Sequence, residues 1–313
     1  MRTPLLPASR ATVAALALVG AVALAGVGCS DDGDGRSSTE PSVAPTTATS
    51  FVPSARRSRA VVWAVGDGAD GSDDARRVAR RIASGRVDRF LYLGDVYEDG
   101  TAEDYADHYR PVYGRLDKIT APTPGNHEWP RHVDGYDAYW ATVHGNEPPP
   151  WYSFRVAGWK LLSLNSEDAH ESDSAQVNWL RAQLREPGTC RLAFWHRPRY
   201  SAGRYGDQAD VQPLWAALGG NATLVVNGHE HNMQRYIPID GVTELVAGAG
   251  GHGHYELDRH EPRHAFANDT DYGALRLELR PGSASFAFIT ADGRVLDSGR
   301  VACRPEPNGP GGD

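Results

Sequence analysis

Lysine is almost missing from this chain: Lys118 and Lys160 are the only two, and arginine supplies the other basic residues. Acidic residues outnumber basic ones, and the formal net charge is −8 at pH 7. Nucleic-acid backbones select basic surfaces, so this balance argues against a general nucleic-acid binder. Long apolar runs are also scarce. The one extended run, residues 11–27, follows Arg2 and Arg10 and leads into a polar, acidic tract. That is slightly short for a membrane span and lacks a stop-transfer cluster, so it reads as a secretory signal peptide. Cysteine is rare, with Cys29, Cys190 and Cys303 alone. An odd count in an exported chain is explained if Cys29 is lipid-modified and Cys190 pairs with Cys303. The alternative is a pair of unpaired, buried thiols.

What is present divides the chain into four stretches. Residues 1–29 are expected to be a signal peptide of lipoprotein type, because Gly26-Val27-Gly28-Cys29 is similar to a bacterial lipobox. Gly26 stands where such a box usually has leucine, and a simple cleaved signal peptide is the alternative. Residues 30–59 are rich in Ser, Thr, Pro, Asp and Gly, cannot bury a core, and are expected to be a disordered tether. Residues 60–303 hold the apolar periodicity of one domain, and 304–313 are a disordered Pro/Gly tail. With 40% hydrophobic residues and 8 Trp, the chain has ample material for a core.

Within the domain, buried-strand patterns at 60–65 and 89–93 flank a helix opened by Ser72, a βαβ unit. A helix is expected over 104–116, and a long loop over 129–150 that walls a site. A β-hairpin is expected over 151–165, turning at Ala157-Gly158-Trp159. Asp173 and Gln176 form a capping-box pattern before a helix carrying Val177, Leu180 and Leu184. Strands at 191–195 and 222–226 enclose a helix at 209–218, and four further strand patterns follow from residue 243. Helices alternating with strands, then mostly strands, predict a layered α/β sandwich on two sheets.

Five strand-like runs end in polar residues: Asp67, Asp95, Asn126, His196, and His229 with His231. Ligands collect at the carboxyl ends of strands in open α/β sheets. Carboxylate, amide and imidazole donors together suit first-row metals, and paired metals are a known clamp for phosphoryl hydrolysis. Asp95 is the candidate to bridge two ions.

The ordered set Gly66-Asp67, Gly94-Asp95, Gly125-Asn126-His127-Glu128, Trp195-His196 and Gly228-His229-Glu230-His231 resembles the calcineurin-like metallophosphoesterase superfamily. The likeness is greatest to its purple-acid-phosphatase-like and bacterial alkaline-phosphatase-like branch, and it spans residues 60–303. The resemblance implies a four-layer α/β/β/α sandwich with two mixed sheets. It implies two metal ions per chain, iron, zinc or manganese. Asp67 and His231 would hold the first, Asn126, His196 and His229 the second, and Asp95 both. His127 would be general acid and phosphate donor, and Glu128 would orient it or support it from behind. Many members have a histidine two residues after the first aspartate, where this chain has Ala69. Purple acid phosphatases instead use a tyrosine three residues past the bridge. Here Tyr97 lies two past it, so Tyr97 is either a shifted metal ligand or a wall residue. Arg199 and His254 are candidate substrate contacts; Arg197 and His252 are lesser ones.

The function so implied is a dinuclear phosphatase, a hydrolase of phosphate monoesters that uses a metal-bound hydroxide. The alternatives are a phosphodiesterase acting on nucleotide or lipid-derived diesters, and a non-catalytic envelope lipoprotein with a degenerate first metal site. Small-molecule phosphate esters are the expected partners, with the membrane as a further partner through a lipid on Cys29. No nucleic acid and no specific protein partner is expected. The expected location is the outer face of a bacterial cell membrane, or the medium.

Overall fold

The computed structural model describes residues 51–187 and 190–303. The expected signal peptide, Cys29 and the expected tail therefore lie outside the described residues, as does the tether up to Ser50. Where the tether is described, it is part of the domain. Phe51 and Val52 are buried, Phe51 packs its ring against His144 and Tyr152 at 4.5 and 5.1 Å, and Ala55 bridges to Val156. An apolar pair inside a polar tract suffices to dock the chain, so packing begins before the expected boundary at Ala60.

Thirteen strands are described. They are β1 (Ala60–Val65), β2 (Arg89–Tyr92), β3 (Thr120–Pro122), β4 (Tyr152–Val156), β5 (Trp159–Ser163), β6 (Cys190–Phe194) and β7 (Leu224–Asn227). They continue with β8 (Met233–Tyr236), β9 (Thr243–Ala247), β10 (His264–Asn268), β11 (Gly273–Arg280), β12 (Ser283–Thr290) and β13 (Val295–Ala302). One sheet has the order β13-β12-β11-β1-β2-β3, and the other β10-β8-β9-β7-β6-β5-β4. Both are mixed. β1, β2 and β3 run parallel in the first. β5, β6, β7 and β9 run parallel in the second.

Strand periodicity sorts side chains between layers. In β6, Leu192 and Phe194 enter the large core, while Ala193 and the following Trp195 face a second cluster. That second cluster holds Val177 and Leu180 of the helix Ala175–Leu184 and Leu214, Trp215 and Leu218 of the helix Gln212–Leu218. On the other sheet, Phe90 and Tyr92 meet Tyr113 and Tyr109 at 5.3 and 4.9 Å between ring centres. The helix Asp73–Ala83 buries Ala75, Val78, Ala79 and Ile82, with Ser72 accepting from the Ala75 amide as its cap. Helices thus cover the outer face of each sheet, the four-layer arrangement expected.

Several local expectations change. Residues 102–119 are helical throughout, with a π-turn at Tyr105–Tyr109 and a 3₁₀ end at Gly114–Ile119. The stretch 129–150 is not a loop: it coils through Trp129–Arg131, Val133–Asp137 and the helix Ala138–His144. Buried Tyr136 and Trp140 share one face, and Tyr139 stacks on Tyr105 at 4.7 Å, so aromatic packing imposes the helix. The cap of Ala175–Leu184 is Ser174, not Asp173. Gln176 is buried and spends its amide on the backbone of Asn165. Strands β8 and β10 escape sequence reading because they are short and carry polar residues.

Cys190, which opens β6, is bonded to Cys303 just beyond β13, with 5.3 Å between Cα atoms and a sequence separation of 113. The bond ties the two sheets together. Cys303→Ser should lower unfolding free energy by about 2–4 kcal/mol. Denaturant midpoints of the variant and of reduced wild type should fall together, and an unshifted midpoint in both would remove this role.

Candidate metal centre

The carboxyl ends of the parallel strands of both sheets meet at one place. Asp67 follows β1, Asp95 follows β2 and Asn126 follows β3, while His196 follows β6 and His229 and His231 follow β7. The two groups are joined across the sheets. Gly66 N donates to the Ala247 carbonyl at 3.0 Å, His229 N to Asp67 Oδ2 at 2.8 Å, and His196 Nδ1 to the Leu93 carbonyl at 2.8 Å. Asp67, Asp95 and His229 have φ of 58, 66 and 69°, a left-handed conformation that non-glycine residues seldom adopt. Such strain costs on the order of 1–3 kcal/mol per residue and persists where packing over-determines it.

All six residues are brought together, and Tyr97 joins them. Asp95 is 2% exposed, and its two oxygens look in different directions. Oδ1 lies 3.3 Å from His196 Nε2, which in turn is 3.1 Å from both Asn126 Oδ1 and His229 Nδ1. Oδ2 lies 3.5 Å from the Tyr97 hydroxyl. That hydroxyl is 3.5 Å from Asp67 Oδ1 and 2.9 Å from His231 Nε2. Donor atoms of Asp95, His196 and His229 fall within 4.8 Å of one another. One residue of shift therefore does not keep Tyr97 out of the site.

The histidines are oriented by backbone. Carbonyl oxygens only accept, so His196 and His231 each hold a proton on Nδ1, for Leu93 and for Gly253 at 2.6 Å. Their Nε2 atoms face inward. His127 donates its backbone N–H to Asp95 Oδ1 at 3.2 Å, and its Nδ1 is held by the Glu98 carbonyl. Its Nε2 stands 3.8 Å from Asp95 Oδ2, on a side chain 30% exposed.

The electrostatics of the site suit a cation. Burial raises the Asp67 carboxyl well above its usual range, with Asp95 adding to it against His196. Burial also works against Asp95, yet His196 beside it holds that carboxylate below the ordinary range. In return, despite its burial, His196 is pushed up to about 10 by Asp95. Burial lowers His229 to about 2 and His231 to about 4, so both are neutral and able to ligate. Two buried carboxyl groups, two neutral imidazoles, the His196 ring whose proton a metal would displace, an amide oxygen and a phenol fit divalent or trivalent first-row metals.

Other candidates sit elsewhere than expected. Glu128 does not orient His127. It is fully buried, its Oε2 accepts from the Asp95 and Gly125 amides at 3.0 and 3.1 Å, and burial with Asp95 raises it to about 8. It therefore shapes the turn that presents Asp95. Arg199 donates through Nε to Gln212 and lies 3.8 Å from Asp207, and Arg197 pairs with Glu167, so both guanidiniums have partners within the protein. Imidazole–carbonyl bonding keeps His254 on the His231 backbone at 2.9 Å, with its ring on Tyr272. His252 stacks on Tyr97 at 3.9 Å and pairs with Asp70 at 3.2 Å. Tyr205 and Tyr255, stacked on His229 and His231 at 4.4 and 3.8 Å, had no signal in the sequence.

Comparison with known proteins finds relatives of this domain. The family model described as calcineurin-like phosphoesterase matches residues 60–233. Purple acid phosphatase 21 of Arabidopsis thaliana is 30% identical over 190 residues, 52% of this chain and 42% of its own. Tartrate-resistant acid phosphatase type 5 of Mus musculus is 24% identical over 281 residues, 75% of this chain and 84% of its own. This chain thus spans about two fifths of the plant relative and most of the mouse one. The purple acid phosphatase of yellow lupin (Lupinus luteus) seeds shares the fold, with a TM-score of 0.65 at 17% identity over 79% of this chain and 54% of that one.

Two outcomes are expected. Metal uptake at pH 7 should release at least one proton per chain, since His196 is protonated without metal, and affinity should climb as pH rises toward about 10. Calorimetry in buffers of differing ionisation enthalpy reads this, and equal heats in all buffers would contradict it. Gly125→Ala would place a Cβ 2.1 Å from Asp95 Oδ1, whereas Gly85→Ala meets nothing within 4 Å. The first should cost on the order of tenfold or more in metal affinity, and the second should leave it alone.

Proposed function

The chain belongs to the calcineurin-like phosphoesterase family, in its purple-acid-phosphatase-like branch, and we propose that it hydrolyses phosphate monoesters with two metal ions. One observation carries this reading: the two oxygens of Asp95 face two different donor sets. Asp67, His231 and Tyr97 would hold one ion, Asn126, His196 and His229 the other, and Asp95 both. Iron, zinc or manganese suits these donors. When bound, the ions supply Lewis-acid neutralisation of phosphate charge and an acidified water.

The protein's own residues then do the following. Tyr97 and the inward imidazoles, fixed by carbonyls behind them, keep the donor sets apart without reorganisation. His127 stands beside Asp95 with Nδ1 tied to Glu98, so only Nε2 can meet the substrate. As water oxygen bonds to phosphorus, the bond to the leaving oxygen breaks, and a proton from Nε2 passes to that oxygen. The rest of the pocket floor is buried, which favours charge interactions over bulk water.

The disulfide fits an oxidising compartment. Together with the signal-like residues 11–27, it supports our reading of an exported domain, in which Cys29 would be the point of lipid attachment. Among the described residues no helix is long and apolar enough to cross a membrane.

The test is metal content with turnover of p-nitrophenyl phosphate and bis-p-nitrophenyl phosphate. Two metals per chain and hydrolysis of the monoester alone are expected, and both should be lost in Asp95→Asn. Turnover of the diester alone would replace the reading with a phosphodiesterase; metal binding without any turnover would sink the enzyme. His127→Ala should cost about 10²–10⁴ in kcat on glycerol phosphate, whose alkoxide needs a proton. The loss should be much smaller on p-nitrophenyl phosphate, whose leaving group does not. Equal losses on both would make His127 a phosphate-binding group instead.

A further inference from the structure

Beyond His196 the chain enters a turn, residues 201–207, that the proposed hydrolysis does not use. It is firmly held. Ser201 N donates to Asp207 Oδ1 at 3.0 Å, and Gly203 N to Ser201 Oγ at 2.9 Å. The buried Glu230 accepts from Ser201 Oγ and from Tyr205 N, each at 2.9 Å. A side chain at Gly203 would put its Cβ 2.2 Å from Glu230 Oε2, so the turn sits directly on this carboxylate.

The turn presents Arg204 and Tyr205 outward. Tyr205 is 46% exposed and lies over His229, Tyr255 lies over His231, and the two tyrosine rings are 5.6 Å apart. The Arg204 guanidinium rests over both rings, 5.0 Å from Tyr255 and 5.8 Å from Tyr205. His229 and His231 belong to different donor sets, so Arg204 stands one aromatic layer above the whole centre. Its neighbours Arg197 and Arg199 have carboxylates within reach, as does Arg263 across the turn. Among the described residues, no carboxylate forms an ion pair with Arg204.

We propose that Arg204, backed by Tyr205 and Tyr255, binds a second anionic group carried by the leaving group of the substrate. A planar guanidinium takes phosphate or carboxylate through paired N–H donors, and aromatic faces hold it without neutralising it. The favoured substrates are therefore phosphate esters or anhydrides with a second phosphate or a carboxylate near the scissile bond. This rests on the phosphate-hydrolysing reading of the centre beneath.

The experiment uses metal-loaded protein cleared of free metal. Binding of methylphosphonate, methylenediphosphonate and phosphonoacetate is measured by calorimetry, beside turnover of pyrophosphate and p-nitrophenyl phosphate. In Arg204→Gln the affinity ratio of each probe with two anionic groups to methylphosphonate should fall about tenfold, and Arg204→Lys should restore part of it. The kcat/KM ratio of pyrophosphate to p-nitrophenyl phosphate should fall likewise. A fall with methylenediphosphonate alone would support the subsite and identify its anion as phosphate; a fall with phosphonoacetate alone would identify carboxylate. Unchanged binding ratios for both would overturn the proposal, even with full turnover. Ratios that depend on Arg204 without any turnover would keep the subsite and reject the hydrolase.

Discussion

A carboxylate with 2% exposure at the meeting point of two sheets is a costly thing to bury, and Asp95 is such a group. Its surroundings read as compensation for that charge. His196 approaches one oxygen and Tyr97 the other, while Glu128 holds the backbone N–H behind it. Gly94 at φ 96° and Gly125 leave room that side chains would fill: a Cβ on Gly94 would meet the Gly125 backbone and the His196 ring, and one on Gly125 would meet Asp95. The strained backbone of Asp67, Asp95 and His229 belongs to the same arrangement. These features suit a site that cations complete.

The scaffold explains how such a set is kept. Each sheet offers the carboxyl ends of parallel strands, and each is sealed on its outer face by helices. Close packing makes the interior resist deformation. Cross-sheet bonds from His229 to Asp67 and from His196 to Leu93 then set the distance between the two donor groups. Sliding one sheet against the other would break them together.

Much of this was legible in residues alone, and the reasons differ from place to place. The helix Asp73–Ala83 was readable because its apolar positions repeat at helical spacing after a serine cap. The stretch 129–150 reads as a loop because of its Pro, His and Gly, while the aromatic contacts that fold it come from residues 105–109. The resemblance offers Glu128 as a guide for His127 or as support from behind, and the turn directs its carboxylate to the Asp95 and Gly125 amides. Proximity to His196 suggests Arg199, and a second Gly-His-x-His, Gly251-His252-Gly253-His254, suggests His254. Their actual partners, Asp207, Gln212 and the His231 carbonyl, are chosen by the path of the loops.

What the sequence alone determined is the order of elements and the set of ligand candidates. Hydrophobic periodicity is a local property, and the polar residues that interrupt it at strand ends are visible without folding. It could not determine how the first donor set is completed. Whether a tyrosine two residues past Asp95 turns toward Asp67 depends on the local backbone path and on the stacking partner His252, which arrives from 155 positions further along the chain, as 252 − 97 shows. Nor could it reveal the layer of Tyr205, Tyr255 and Arg204 above His229 and His231. Those contacts join separate loops, and only the close packing of the two sheets decides which loops meet.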